Sequence, residues 1–212
     1  MRIPAMSHHV NPSHMLPAPG TRRLLIKNMV CPQCIRVVRE DLSALGLQVH
    51  HVALGEADVT VPGEAEPDWD AIRATLLEAG FALLEDPRAQ LVEQIKTHLV
   101  TLIHYPPPGP RLLNYSDSIV EQLGRDYHYL SHLFSAEEGL TIEKFIIRQK
   151  VERAKELIGY GELTIAEVAQ QLGYSSPAHL SRQFRQVTGL TPSEFQKLGP
   201  ASAARRSLDS LV

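Results

Sequence analysis

The chain has 212 residues, 43% of them hydrophobic and 21% charged, with a formal net charge of −3. That length accommodates one or two domains, each able to bury its own core. The near-neutral charge excludes a protein held to nucleic acid by bulk positive potential, because non-specific phosphate binding grows with the number of neutralising Lys and Arg. Residues 1–87 hold 7 Lys/Arg against 11 Asp/Glu and residues 88–212 hold 14 against 13, so any basic surface must be a local cluster. No apolar run is long enough for a signal-peptide core or a membrane span, so a cytoplasmic location without membrane attachment is expected. No Ser-His-Asp grouping, paired-carboxylate site, Walker loop or dinucleotide fingerprint appears, which argues against an enzyme and leaves no candidate catalytic residue.

Residues 1–20 carry prolines and three histidines with little apolar content, and read as a disordered tail. His8, His9 and His14 are potential transition-metal donors, although in a flexible tail plain solvation explains them as well. Residues 21–86 form a first unit. Leu24 and Ile26 alternate in a strand, then Ile35, Val38, Leu42 and Leu45 follow at helical spacing before Gly46 ends the helix. Strands over 47–54 and 59–61 are separated by a hairpin-like turn at Gly55-Glu56, and a shift in alternation at His50-His51 suggests a bulge. Trp69, Ile72, Leu76 and Ala79 give a second helix, and 81–84 a last strand. The order βαββαβ implies a small α+β, ferredoxin-like sandwich with helices on one sheet face.

After a linker at 85–88, residues 89–198 read as an all-α domain. Leu91, Ile95, Leu99 and Leu102 keep helical spacing, a stiff loop follows at Pro106-Pro107-Pro108-Gly109-Pro110, and Ile147, Val151, Ala154 and Ile158 mark a second long helix. The most specific signal is a repeat. Val168 to Gly173 matches Ile119 to Gly124 at an offset of 49, while Leu180-Ser181, Phe184 and Gly189-Leu190-Thr191 match Leu130-Ser131, Phe134 and Gly139-Leu140-Thr141 at an offset of 50. One extra residue confined to a turn is what two copies of a helix-turn-helix unit tolerate, since the flanking helices must keep their packing phase.

In the second copy Thr164 and Glu167 form a capping box and Gly173 closes the helix. Ser175 or Ser176 caps the next one, Pro177 occupies its first turn, and Leu180, Phe184 and Val187 form its buried stripe. The opposite face carries Ala178, Ser181, Arg182 and Arg185. Small residues beside long cations suit a major-groove helix, because Arg can bond guanine O6 and N7 together while small neighbours allow close approach. Arg148, Lys150, Arg153 and Lys155, with Arg182, Arg185 and Lys197, are candidates for a basic surface, with Glu152 and Glu156 interleaved. Residues 199–212 read as a flexible tail.

These strings, above all Ile165-Ala166-Glu167-Val168-Ala169, Leu172-Gly173-Tyr174, Ser181-Arg182-Gln183-Phe184-Arg185 and Gly189-Leu190-Thr191-Pro192, resemble the DNA-binding domain of the AraC/XylS family of bacterial transcription regulators. The resemblance implies seven helices in two helix-turn-helix units that read successive major grooves of a double-stranded operator. It places base contacts at Ala178, Ser181 and Arg182 in the second unit and at His128, Ser131 and His132 in the first. The first unit departs from the family pattern, with His132 at a position where a cation is common and with Asp126, Ser135, Glu137 and Glu138 around the helix. Weaker binding by that unit is therefore expected. Tyr127 and Tyr129 are read either as DNA contacts or as helix packing.

Both cysteines lie in Met29-Val30-Cys31-Pro32-Gln33-Cys34, at the junction of the first strand and helix. With Ala79-Gly80-Phe81, this loop resembles that of heavy-metal-associated domains, which implies a soft metal ion held by Cys31 and Cys34. Two thiolates three residues apart can close on one ion, and a helix N-terminus favours their charge. Monovalent copper suits a two-sulfur site, mercury is a further candidate, and zinc would need more ligands. Asn28 and Pro32 stand where other residues are commoner. Three other readings stay open: inert cysteines on an interaction or dimerisation module, a thiol-disulfide redox motif, and a structural disulfide, which a reducing cytoplasm disfavours. The combined expectation is a metal-responsive transcription regulator, with a homodimer compatible with it.

Overall fold

The computed structural model describes residues 20–64, 66–106 and 114–198. The expected tails, with His8, His9 and His14, and positions 107–110 of the proline-rich loop lie outside the described residues.

The first unit runs β1 (Arg22–Lys27), α1 (Pro32–Ala44), β2 (Gln48–Ala53), β3 (Glu56–Thr60), α2 (Trp69–Glu78) and β4 (Ala82–Leu83). Its sheet is antiparallel with strand order β2-β3-β1-β4. Strand alternation sends Leu24 and Ile26 inward, where Val38 and Leu42 of α1 and Ile72 and Leu76 of α2 meet them in one core. Asp68 caps α2 by accepting from the Ala71 N–H. The expected bulge lies between Val49 and His51, where the β2–β3 register shifts.

Two expected boundaries change. Because Gly55 adopts φ +82, the hairpin closes through the two residues Leu54 and Gly55, and Glu56 already pairs with Ala53, so β3 begins at Glu56 instead of residue 59. The last strand is only Ala82–Leu83, while Phe81 is buried beside the helices. Leu45, expected in the buried stripe of α1, caps that helix and is 36% exposed.

Among the described residues seven helices follow: α3 (Pro87–His104), α4 (Tyr115–Leu123), α5 (Tyr127–Glu138), α6 (Ile142–Tyr160), α7 (Ile165–Gln171), α8 (Pro177–Thr188) and α9 (Pro192–Lys197). They build two cores. Ile95 and Leu99 of α3 pack with Ile119, Leu130, Phe134 and Phe145, whereas Val151, Ala154 and Ile158 pack with Val168, Leu180, Phe184 and Phe195. Thus α6 serves one core with its first half and the other with its second. Val187 departs from the expected stripe: it lies in the final turn of α8, beyond Leu180 and Phe184, and is 38% exposed.

The two parts are docked. Asp86 caps α3 by accepting from the Arg88 and Ala89 N–H groups, so the helix starts almost directly after β4. Val30 and Leu54 pack against the α3–α5 core. The Asn28 N–H donates to Glu93 Oε1 at 3.2 Å, and the Tyr105 hydroxyl donates to the Val30 carbonyl at 3.4 Å. Beside these contacts an open cleft of about 660 Å³ runs between the β2–β3 hairpin and α3, with Gln122 and Leu123 of α4 at one side.

Candidate nucleic-acid interface

Each helix-turn-helix is fixed by local chemistry that repeats. Gly124 and Gly173 end the leading helices with φ +61 and +69, the left-handed region that glycine enters without a Cβ penalty. The following helix is then capped by a side chain that accepts from the third N–H: Asp126 from Tyr129 in α5, and Ser176 from His179 in α8. The acidic residue at the start of α5 is accordingly a cap. Of the two serines considered, Ser176 is the cap of α8, while Ser175 Oγ lies 3.1 Å from His179 Nδ1. The expected Thr164–Glu167 capping box is formed, and Thr191 with Glu194 forms a second.

With Leu180 and Phe184 buried, the opposite face of α8 presents Ala178, Arg182 and Arg185, all exposed, with Ser181 half-buried among them. The corresponding face of α5 presents His128 and His132, exposed, and Ser131, half-buried. The structure therefore gathers the candidate contact residues into two stripes, one on each second helix. The second stripe is cationic and the first is not.

Around these stripes several sequence expectations change. Glu138 does not face outward with Glu137; its Oε1 lies 3.2 Å from the Nζ of Lys96, a fully buried lysine. Lys155 is only 7% exposed and pairs with the buried Glu152 at 2.8 Å, and Arg153 binds Glu156 at 2.8 Å, so neither is a free member of a basic surface. A lysine survives in a core only when paired, and α6 pairs Lys155 with Glu152 three positions before it and Arg153 with Glu156 three positions after it. Tyr127 is held in the fold: its hydroxyl donates to Glu143 Oε1 at 2.7 Å, and burial together with that bond pushes it up to about 12. Tyr129 remains 51% exposed on α5.

Sequence reasoning missed the role of Lys150. Its Nζ stands 5.2 Å from the ring centroids of both Tyr115 in α4 and Tyr174 after α7, so one cation on the connecting helix touches the leading part of both units. Tyr174 in turn meets His179 edge-on at 5.3 Å. The only hint in the sequence was Tyr174 directly after Gly173, whose aromatic partners come from distant segments.

In the first unit Cys31 occupies the N-cap position of α1 without a side-chain capping bond, and Pro32 occupies its first turn. The Cys31 and Cys34 Sγ atoms are 3.4 Å apart, within thiol hydrogen-bond distance, both residues are partly exposed, and no disulfide joins them. Burial pushes the Cys34 thiol up, against the backbone N–H groups that favour its thiolate. Met29 is fully buried in the first core, so its sulfur is a packing group. Among the described residues no group of three or more His, Cys, Asp or Glu side chains comes together. Nor is any helix among them long and apolar enough to cross a membrane.

A sequence model described as a helix-turn-helix domain matches residues 119–198, from within α4 to the end of α9. That segment is a helix-turn-helix domain, in two units. The chain is 33% identical over 64 residues to the probable transcriptional regulator LumQ of Photobacterium leiognathi, covering 30% of this chain and 26% of that one. It is 27% identical over 157 residues to the arabinose operon regulatory protein of Salmonella typhimurium, covering 64% and 56%. Among solved structures, the C-terminal domain of AraT, a response regulator from Geobacillus stearothermophilus, is similar with 21% identity and a TM-score of 0.44 over 53% of this chain and 88% of that one. The chain thus spans about a quarter to just over half the length of these two curated relatives.

Proposed function

We propose that the protein is a sequence-specific, DNA-binding transcription regulator of the AraC type, and not an enzyme. The observation that carries this reading is the pair of exposed stripes on α5 and α8, each backed by a buried face and each entered through a capped turn. A second helix held in that way can lie in a major groove with its exposed side chains on base edges. The match of residues 119–198 to a helix-turn-helix model and the partial similarity of the chain to transcription regulators support the same reading. Selection of DNA from a random library by the full chain, followed by titration of the selected and a scrambled duplex, tests it. Preference for the selected duplex that persists as salt rises is expected, because base contacts outlast the phosphate term; equal binding to both would refute it.

The first unit, by its strand order and its two helices on a shared core, fits a ferredoxin-like, heavy-metal-associated domain, and Cys31 with Cys34 would hold a soft metal ion. The donor set suits monovalent copper or mercury better than zinc, since two thiols stand close together without a further cluster among the described residues. When bound, the ion supplies a positive charge that keeps both sulfurs deprotonated. The alternative reading, an interaction or homodimerisation module without metal, draws on Val30 and Leu54 of this unit, which already pack against the α3–α5 core. Equilibrium dialysis of the full chain against monovalent copper under reducing conditions separates them. Stoichiometric retention lost in the double variant Cys31→Ser, Cys34→Ser supports the metal site, and equal retention by both proteins removes it.

A further inference from the structure

The loop that carries the cysteines and the first groove-facing helix are joined by a line of polar groups whose two middle members are buried and whose ends are half-buried. It starts at Asn28, which has φ +73 although it is not glycine, a backbone state that L-residues rarely hold without support. Its N–H donates to Glu93 Oε1 at 3.2 Å. Glu93 is 3% exposed, and its Oε2 lies 3.4 Å from Lys96 Nζ one turn further along α3. Lys96 is fully buried, and its Nζ is 3.2 Å from Oε1 of Glu138, the last residue of α5.

We infer that Glu93, Lys96 and Glu138 are positioning residues that couple the Cys31–Cys34 loop to α5, so that the state of the loop sets the seating of the first groove-facing helix and DNA on that helix sets the state of the loop. The inference rests on the DNA-binding reading above only for its direction of use. Buried ionic groups are poor devices for stability, because desolvation offsets their attraction, and the best-attested use of such groups is to fix one arrangement against another. Here two carboxylates share one ammonium. While Asn28 donates to Glu93, part of that carboxylate's charge is met by the loop, and Lys96 remains available to Glu138. If the loop withdraws, Glu93 has only its cationic neighbours, draws Lys96 closer, and weakens the hold on the end of α5. Cys31 is three residues beyond Asn28, and the Val30 carbonyl between them accepts from the hydroxyl of Tyr105, the residue that follows α3, so little slack chain separates the sulfurs from these contacts.

Coupling between two sites is reciprocal, so it can be read without any metal. The rate at which an aromatic disulfide reagent labels Cys31 and Cys34 is measured in the full chain, free and saturated with the selected duplex. Wild type should show a change of about 5-fold or more on DNA binding, the lower end of usual coupling factors. Glu138→Gln keeps the shape and removes the charge, and should bring the change below about 2-fold while the protein still melts cooperatively. Unchanged labelling of the DNA-bound wild type, or a full response in Glu138→Gln, overturns the inference. Amide exchange over residues 28–31 needs no DNA: Glu138→Gln should speed it and the exposed neighbour Glu137→Gln should not. Equal exchange in the two variants also overturns the inference. Failure of library selection would count against DNA binding, and the exchange measurement would still decide the coupling.

Discussion

The Phe184 ring stands edge-on to the Phe195 ring, with centroids 5.5 Å apart and planes at 69°, and fifty positions earlier Phe134 and Phe145 repeat the arrangement at 5.6 Å and 65°. All four rings are buried. In each unit the pair ties the second helix to the helix after it, so the exposed stripe is aimed by an aromatic contact on its opposite side.

Truncating one ring of each pair should therefore cost stability and aim together. Phe184→Ala and Phe134→Ala are each expected to lose about 3–5 kcal/mol, the usual range for a buried Phe. Denaturant titration checks the size. A loss below about 1 kcal/mol for either would mean that the ring is not a core group.

Arg182→Ala should weaken binding to the selected duplex by about 1–3 kcal/mol and leave random DNA nearly unaffected, because Arg182 is exposed on the cationic stripe proposed to face the bases. His132→Ala should matter less, since the matching stripe on α5 lacks a long cation. Titration of both variants against both duplexes decides this. An equal loss on the two duplexes would make Arg182 a phosphate contact, and a larger effect at His132 would reverse the ranking of the units.

Monovalent copper should change affinity for the selected duplex about 5-fold to 150-fold in the wild type, as expected for a coupling of about 1–3 kcal/mol. The double variant Cys31→Ser, Cys34→Ser should bind the duplex without that response. Constant wild-type affinity across saturating copper, zinc and mercury under reducing conditions would favour the interaction-module reading.

The elements and their caps were legible because they rest on local rules. Thr164 with Glu167, Pro177 behind Ser176, and Gly173 in the turn each act within a few residues of themselves. The exposure of the candidate contact residues was legible for the same reason, since helical spacing alone puts Arg182 opposite Phe184. What could not be read were partners distant in sequence. Glu138 looked like an acidic intrusion beside a DNA helix until Lys96, forty-two residues away, accounted for it. Lys155 looked like part of a basic surface, but α6 is covered on both sides and turns it inward to Glu152. The start of β3 was misplaced because apolar alternation begins late, whereas the hydrogen-bond register is set by Gly55.

Acid should loosen the helical part through its caps. The carboxyls of Glu167 and Glu194 are lowered by bonds from Thr164 and Thr191, and that of Glu143 by the Tyr127 hydroxyl. A depressed folded value means that the stabilisation is fully present above the ordinary 4.5 and is lost as pH falls through the folded value. Glu93 acts in the opposite sense: burial raises its carboxyl, so its ionisation costs stability as pH rises past 4.5. Thermal melts between about pH 7 and pH 3 should show a smaller acid loss in Glu167→Gln, Glu194→Gln and a larger one in Glu93→Gln. Parallel curves for all three proteins would remove these groups from the account.

The docking of the two parts can be tested at one glycine. Gly55 turns the β2–β3 hairpin at φ +82, and a Cβ placed there would lie 2.6 Å from Thr97 Oγ1 on α3. Gly46 and Gly80 have similar angles, φ +79 and +84, but a Cβ on either meets nothing within 4 Å. All three alanine variants pay the left-handed penalty of about 1–2 kcal/mol. Only Gly55→Ala must also push α3 away or turn Thr97, a stiff β-branched side chain. Its loss should exceed those of Gly46→Ala and Gly80→Ala by about 1 kcal/mol or more, the usual scale of overpacking, and Thr97→Ala should recover most of the excess in the double variant. Denaturant titration of the five proteins, wild type included, measures this. Equal losses at the three glycines would mean that the hairpin does not rest on α3 in solution, and the path from the cysteine loop to α5 would lose its scaffold.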